Sequence, residues 1–360
     1  MMSRLHAARL VVAMTAVGLV LSTCAGLPAA DRSSSPSPQL TAATSAIGPG
    51  PWAGPATPAS SPTPGGTVVS GSGAPSTSAP TGGHGFTAQR VGVGRLLLTT
   101  LAGPASGVTM RVWVWLPPQY DEPRYAHTTF PVLILFPGGD GVSYTQWFNF
   151  GQPELIASKS ATGEVSPFIM VEPQLQMSEK LDTECTDLDG QPKVGTFMDT
   201  DVPTMVKASF RAIPDRSGWG VGGASSGAYC ANRILFAHPE EFAAGVSLAG
   251  YFLIDTPLPA GRTPAARATS PQMIAAGPNP PDVWLRCWMG SSGAAETNTQ
   301  RQYDDFIKVV KAPTHVDSRV LRGATHTWAS FTAMLPDTFA FFTDHRQTRR
   351  VSAPGRHRSR

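Results

Sequence analysis

The sequence has little charge. Asp, Glu, Lys and Arg make up only 15% of its 360 residues, and the formal net charge is +3. A nucleic-acid-binding protein needs a dense basic surface, so this composition excludes nucleic acid as an expected partner. The sequence also has no His/Cys cluster at metal-ligand spacing and no glycine-rich phosphate-binding loop. We therefore expect no metal and no cofactor.

Cysteine is scarce as well. Of the four cysteines, Cys185, Cys230 and Cys287 lie beyond the N-terminal segment, which allows one disulfide and one free thiol. Cys287 falls in an apolar strand pattern, where a buried free cysteine is common. Cys185 lies in a polar loop and Cys230 on a predicted helix, so we favour the Cys185–Cys230 pair. The other two pairings stay open.

The first 30 residues predict export. Positively charged residues near the start precede an uncharged run over residues 10–30, as in a signal peptide. Cleavage near Ala30 would release the protein, whereas the uncleaved run is long enough to span a bilayer. Lipidation of Cys24 is a third outcome, although Thr23 stands where a lipobox usually has Gly or Ala. We expect a protein that is secreted, or anchored to the outer face of the cytoplasmic membrane or the cell wall.

Composition divides the rest of the chain into three parts. Residues 31–85 are rich in Pro, Ser, Thr, Ala and Gly, with few apolar side chains to bury, and predict a disordered linker. Residues 86–346 are long enough for one large domain. Residues 347–360 form a basic tail, either a solvated end or a contact to anionic envelope polymers.

Apolar runs in the domain alternate with helical patterns. An antiparallel pair of strands is predicted first, with Val112, Val114 and Leu116 on one face, and unbroken apolar runs typical of buried parallel strands follow. This order predicts an α/β fold with a mostly parallel central sheet and helices on both faces. The predicted strands are residues 91–100, 108–116, 131–136, 168–171, 219–223, 242–250, 283–289 and 318–321.

Two smaller predictions concern acidic and aromatic residues. Asp201 is interpreted as the cap of a helix that runs to about Arg211, and Asp199 beside it as part of a solvated cap rather than a metal pair. Trp147 and Phe148 either line the mouth of a site or belong to the core.

The most informative stretch is Gly223-x-Ser225-x-Gly227, between a predicted strand and a predicted helix. It fits the nucleophile elbow of α/β-hydrolases, in which a serine sits on a sharp, strained turn. Glycine is needed on both sides because strand and helix approach closely there. If Ser226 were the nucleophile, alanines would stand at those positions, so we predict Ser225 as the nucleophile.

A second glycine-rich turn follows the strand at residues 131–136. Acyl transfer needs two N–H groups directed at the oxygen that becomes negative, and a turn of this kind supplies one of them. We predict the oxyanion hole from the amides of Gly139 and Ser226.

Serine needs a base, and the base needs an acid that orients it. His326 lies in a glycine-containing loop after the last predicted strand and is the predicted base. Glu296 is the only carboxylate between Gly290 and the following helix, and is the predicted acid. Its alternative role is a charge at the helix N-terminus. Asp304 and Asp305 are poorer candidates because they fall within the helix.

These motifs resemble the esterase D-like branch of α/β-hydrolases, which includes S-formylglutathione hydrolases and the secreted mycolyltransferases. The likeness covers residues 91–342 and is most specific from Gly223 through Tyr251, with a second block at Gly323-x-x-His326-x-Trp328. It implies the α/β-hydrolase fold and the same nucleophile, base and oxyanion donor.

The sequence departs from this family at two points. Pro137 precedes the glycines of the oxyanion turn where His or Asp is usual, and the esterase D acid position just after Gly290 holds Ser and Gly. The mycolyltransferases have a Glu near the start of the following helix, which Glu296 matches.

The leading interpretation is therefore an exported serine esterase acting on acyl esters of the cell envelope or its surroundings. The second is an acyltransferase that passes the acyl group to a sugar or lipid hydroxyl. The third is an envelope-binding protein that keeps the fold without the chemistry. The expected partner is an acyl-ester or glycolipid substrate, with envelope contact through the anchor or the basic tail.

Overall fold

The computed structural model describes residues 84–139 and 146–345. The predicted N-terminal segment, residues 31–83 of the linker, residues 140–145 and the basic tail from residue 346 lie outside these described residues. The described strands are β1 (Thr87–Gln89), β2 (Arg95–Ala102), β3 (Thr109–Leu116), β4 (Val132–Phe136), β5 (Ile169–Pro173), β6 (Trp219–Ala224), β7 (Ala244–Leu248), β8 (Trp284–Gly290) and β9 (His315–Leu321).

The helices connect these strands mainly in the second half of the domain. They are α1 (Gln152–Ala161), α2 (Val194–Thr196), α3 (Val202–Ser209), α4 (Ser226–Ala237), α5 (Pro264–Ala268), α6 (Pro271–Ala276), α7 (Ala294–Ile307) and α8 (Trp328–Asp344). A π-helical segment, Phe197–Asp201, joins α2 to α3. No helix among the described residues is both long and apolar enough to cross a bilayer.

The strands form one nine-stranded sheet in the order β1-β2-β3-β5-β4-β6-β7-β8-β9. The pairs from β1 to β3, and the β3–β5 pair, are antiparallel. The strands from β5 to β9 are all parallel. The predicted α/β class with a mostly parallel sheet is confirmed.

Alternating side chains of β3 divide the core into two layers. Val112, Val114 and Leu116 face one side, as predicted, and pack in the same cluster as buried residues of α3, α4 and α7. Trp113 and Trp115 face the other side and join buried residues of α1 and α8. Helices therefore cover both faces, because a strand directs successive side chains to opposite sides of a sheet.

The helix predicted to start after Asp201 is confirmed, since α3 begins at Val202, but the capping and solvation predicted for Asp201 and Asp199 were wrong. Asp201 stands at the N-cap position of α3, but its buried side chain makes no cap hydrogen bond, and its carboxylate accepts the amide N–H groups of Ala105 and Ser106 in the β2–β3 turn. Asp199 is not solvated, since its carboxylate lies 2.9 Å from the Arg233 guanidinium. Both carboxylates found partners distant in the sequence, which a local helix-start pattern cannot reveal.

The favoured cysteine pairing is confirmed, because Cys185 and Cys230 form a disulfide that ties the loop after β5 to α4. Cys287 is free and buried on β8, and this burial raises the pKa of its thiol. Of the two interpretations of Trp147 and Phe148, the structure supports the core, since both side chains are buried.

Candidate active site

Ser225 stands at the turn between β6 and α4. Its backbone has φ of 55° and ψ of −119°, a conformation that side-chain-bearing residues rarely adopt. The amide N–H of Ser225 donates to the carbonyl oxygen of Leu248 on the neighbouring strand β7, which anchors the turn. A strained serine between a parallel strand and a helix is the arrangement of a nucleophile elbow.

The two flanking glycines are required by close backbone contacts. A Cβ atom on Gly223 would lie 2.2 Å from the carbonyl of Gly227, and one on Gly227 would lie 2.3 Å from the carbonyl oxygen of Pro137. Neither distance is compatible with a side chain. Gly227 thus also lets the start of α4 approach the turn after β4, where the predicted oxyanion donor lies.

His326 joins the other two predicted site residues. Its Nε2 lies 2.9 Å from Oγ of Ser225, and its Nδ1 lies 2.8 Å from Oε1 of Glu296. The imidazole is partly exposed, whereas Glu296 is completely buried. The structure thus brings serine, imidazole and carboxylate into one hydrogen-bonded line. In this geometry a serine hydroxyl can pass its proton to the imidazole while the carboxylate holds the ring.

Hydrogen bonds between two loops hold the imidazole and the carboxylate in place. Oε2 of Glu296 accepts the amide N–H of Gly290, at the end of β8. The carbonyl oxygen of Ala324, two residues before the histidine, accepts the amide N–H groups of both Ser291 and Ser292. Hydrogen bonds therefore connect the loop after β8 to the loop after β9.

The alternatives for the acid do not reach the site. Asp304 and Asp305 are exposed on α7. Glu296 does lie in the first turn of α7, so its alternative role as a helix N-terminal charge is compatible with its contact to the histidine.

The predicted oxyanion donors flank the nucleophile. A Cβ atom on Gly138 would lie 3.5 Å from Cβ of Ser225, so the turn after β4 touches the elbow. The hydroxyl of Ser226 donates to the carbonyl oxygen of Gly139 at 2.8 Å. Ser226 is also the first residue of α4, where amide N–H groups have no partner within the helix. Among the described residues, neither predicted donor amide has a protein acceptor.

Aromatic side chains line the side of the site near His326. Phe331 packs edge-on against its imidazole, and Trp328 contacts Phe331. Trp328 stacks on Phe150, which is 45% exposed, and meets the buried Trp147 edge-on. These rings provide an apolar surface beside His326.

A buried acidic group that sequence analysis did not single out lies beside the first turns of α4. The hydroxyl of Tyr251 donates to Glu184, the residue before the disulfide-bonded Cys185. Burial raises the pKa of Glu184 to about 8, and the nearby carboxylates of Asp182 and Asp255 also raise it. No local motif marks Glu184, because its burial and its contact with Tyr251 bring together segments that lie 67 residues apart in the chain.

Within residues 84–139 and 146–345, no group of three or more His, Cys, Asp or Glu side chains is arranged to hold a metal ion. The described site contains a hydroxyl, an imidazole, a carboxylate and two backbone amides.

Solved structures share this fold at low sequence identity. A ferulic acid esterase superposes with a TM-score of 0.56 at 19% identity, covering 69% of this chain and 97% of that protein. An S-formylglutathione hydrolase from Agrobacterium tumefaciens gives 0.57 at 15% identity, covering 72% and 99%. The fluorophosphonate-binding serine hydrolase F of Staphylococcus aureus gives 0.55 at 13% identity, covering 70% and 99%.

One sequence relative is an uncharacterised protein of Corynebacterium glutamicum, 34% identical over 166 residues. The match covers 44% of this chain and 38% of that protein's length.

The profile of a family described as "Putative esterase" matches residues 104–342, which span the sheet from β3 onward and all three residues of the hydrogen-bonded line. The neighbouring folds agree with this match. The chain belongs to this esterase family, and its described domain has the α/β-hydrolase fold.

Proposed function

We propose that the protein is an exported serine esterase that cleaves acyl esters through an acyl-enzyme on Ser225. The observation that carries the proposal is the double contact of His326, whose two ring nitrogens lie within hydrogen-bonding distance of Ser225 and Glu296. Serine is a weak nucleophile at neutral pH, and such a base–acid pair is what activates it.

The reaction follows from this geometry. Oγ of Ser225 attacks the ester carbonyl carbon while His326 takes the hydroxyl proton, and the new C–O bond leaves a negative carbonyl oxygen. The amides of Gly139 and Ser226 stabilise that oxygen. The tetrahedral species then expels the alcohol, which receives the proton from His326, and the acyl group remains on serine.

Water completes the cycle. His326 takes a proton from a water molecule as its oxygen attacks the acyl carbon, and the second tetrahedral species collapses to release the carboxylic acid. The proton returns to Ser225. Throughout, Glu296 holds the ring and stabilises the imidazolium.

Export is supported by the Cys185–Cys230 disulfide, since such bonds persist in oxidising compartments outside the cytoplasm. The predicted signal segment at residues 10–30 and the Pro/Ser/Thr-rich residues 31–85 point the same way. A tether of that composition would let the domain reach esters of the cell envelope.

A second candidate is acyl transfer to a sugar or lipid hydroxyl, which would replace water in the second half of the reaction. The position of Glu296 near the start of α7 favours it, because this is where the mycolyltransferases that the sequence resembles have their acid. The third interpretation, an inactive binding protein, is disfavoured by the contacts of His326 with Ser225 and Glu296.

Fluorophosphonate labelling tests the proposal. We expect the wild-type protein and Ser226→Ala to be labelled, and Ser225→Ala to lose both the label and the hydrolysis of a p-nitrophenyl ester. Equal labelling of all three proteins would contradict the assignment. Product analysis with and without trehalose then separates hydrolysis from transfer, because only a transferase forms an acylated sugar.

A further inference from the structure

The side chain of Gln146 pairs with the backbone of Gly138 through two hydrogen bonds. Its Oε1 accepts the Gly138 amide N–H at 2.8 Å, and its Nε2 donates to the Gly138 carbonyl oxygen at 3.2 Å. The carboxamide thus satisfies both the N–H and the C=O group of Gly138, as the backbone of a neighbouring strand would in a β-sheet.

The carbonyl of Gly138 belongs to the same peptide unit as the amide N–H of Gly139. In a trans peptide the C=O and N–H groups point in opposite directions within one plane. A donor that holds the carbonyl therefore also decides where the N–H points. Gly139 has a positive φ of 82°. Because glycine has no Cβ atom, side-chain sterics do not restrict its backbone conformation.

The first of the two bonds has a separate consequence. Because the Gly138 N–H already donates to Gln146, it is not available for a developing oxyanion. Among the described residues of this turn, the Gly139 N–H is then the donor left for the oxyanion, next to the Ser226 amide across the elbow. The hydroxyl of Ser226 donates to the Gly139 carbonyl oxygen and so holds the peptide that follows Gly139.

The backbone of Gln146 is itself held firmly. The carboxylate of Glu172, completely buried on β5, accepts the amide N–H groups of Gln146 at 2.9 Å and Trp147 at 3.1 Å. The side-chain amide of Gln152 donates to the Gln146 carbonyl oxygen at 3.2 Å. Charge-assisted bonds to a buried carboxylate are among the stronger hydrogen bonds in proteins. The carboxamide of Gln146 is thus attached to the sheet through β5.

We propose that Gln146 is a positioning residue for the oxyanion hole: its carboxamide orients the Gly138–Gly139 peptide so that the Gly139 N–H faces the ester oxygen, with Glu172 as its support. This inference rests on the proposed function of Ser225. Preorganised donors stabilise a transition state because no reorientation is needed when charge develops.

The test compares Gln146→Ala with Gln146→Glu. In Gln146→Ala both bonds to Gly138 are lost, and we expect kcat for a p-nitrophenyl ester to fall roughly 10- to 100-fold with KM changed less than about threefold. The affinity for a trifluoromethyl ketone, which forms a tetrahedral oxyanion on the serine, should fall by a similar factor. A merely structural role would lower thermal stability without this parallel loss.

Gln146→Glu adds a readout in pH. An ionised carboxylate accepts the Gly138 N–H but cannot donate to its carbonyl, whereas a protonated carboxyl group can do both. We expect the activity of Gln146→Glu relative to wild type to rise as pH falls through the range in which this carboxyl group protonates. Dividing by the wild-type activity at each pH removes the pH dependence that is common to both proteins. If Gln146→Ala folds poorly, this near-isosteric variant decides the question.

Gln119→Glu is the matched control. Gln119 is also buried but binds Ser160, away from the elbow. The Gln119→Glu variant should be less stable than wild type, but the ratio of its activity to wild-type activity should not change with pH. The inference is overturned if both Gln146 variants keep wild-type kcat and inhibitor affinity in an enzyme whose activity requires Ser225. If the wild-type protein shows no Ser225-dependent hydrolysis, the proposed function fails as well, and the two failures are thereby distinguished.

Discussion

Glu296 lies 2.8 Å from His326 although 30 residues separate them in the chain. The carboxylate is buried at the first turn of α7, and the loop after β8 binds the loop after β9 through the carbonyl of Ala324. The backbone of these two loops therefore positions Glu296 and His326 for this contact. This relationship makes Glu296 the first residue to test.

Glu296→Gln should lower kcat/KM for a p-nitrophenyl ester by roughly 10²- to 10⁴-fold, because an amide neither stabilises the imidazolium nor selects the same ring tautomer as a carboxylate. Asp304→Asn, on the exposed face of the same helix, is the matched control and should retain activity. Steady-state kinetics measure both. Wild-type activity in Glu296→Gln would exclude it as the acid.

Gly227→Ala should destabilise the fold and the site together. The added Cβ would lie 2.3 Å from the Pro137 carbonyl oxygen, so α4 or the oxyanion turn must shift. We expect a loss of about 1–3 kcal/mol in the free energy of unfolding, measured in urea, and a lower kcat. Gly85→Ala, where no atom lies within 4 Å of the added Cβ, should change the stability by less than about 1 kcal/mol.

Removing the disulfide should weaken the domain. The bond closes a segment of 45 residues, for which the loss of chain entropy in the unfolded state corresponds to about 4 kcal/mol. We expect Cys185→Ala/Cys230→Ala to unfold at clearly lower urea concentration than the wild-type protein, and a reductant to destabilise the wild-type protein but not this double variant. Cys287→Ala, at the buried free cysteine, should keep this response to reductant.

Glu184 should make the stability pH-dependent. Burial raises its pKa from 4.5 to about 8 in the folded protein, so the folded state binds more protons than the unfolded state between these values. This contribution to stability is complete below pH 4.5, falls as pH rises through this window, and is absent above pH 8. Between pH 5 and pH 8 we expect wild type to lose at least about 1 kcal/mol relative to Glu184→Gln.

Urea unfolding at several pH values measures this difference. The comparison with Glu184→Gln removes the pH dependence that the two proteins have in common, including most of that from Asp182, whose pKa burial also raises. Parallel curves for the two proteins would show that Glu184 does not titrate in this window.

Local patterns predicted most of the scaffold. The elbow glycines and the strand predicted over residues 131–136, which is β4, follow from the spacing of apolar and special residues over a few positions. Strand ends were less accurate: the last strand was predicted over residues 318–321 but begins at His315. An edge strand with several exposed side chains has a weak apolar pattern.

Asp201 shows what such patterns miss. Its neighbours predicted a helix cap, but the carboxylate binds two amides about 95 residues earlier in the chain. The contact between Gln146 and the Gly138 backbone could not be predicted from the sequence either. Neither segment contains a residue pattern that indicates this pairing. A polar side chain near a turn has many possible hydrogen-bond partners. The arrangement of the strands in the sheet determines which of them lies close enough to bind.

The sequence by itself determined the order of strands and helices, the turn that holds Ser225 and the residue types suited to its chemistry, because these depend on spacing within one segment. Only the tertiary structure decided which carboxylate faces His326, which cysteines pair and which amide holds the oxyanion turn. Those outcomes depend on the parallel sheet, which brings the ends of β4, β6, β8 and β9 to one edge.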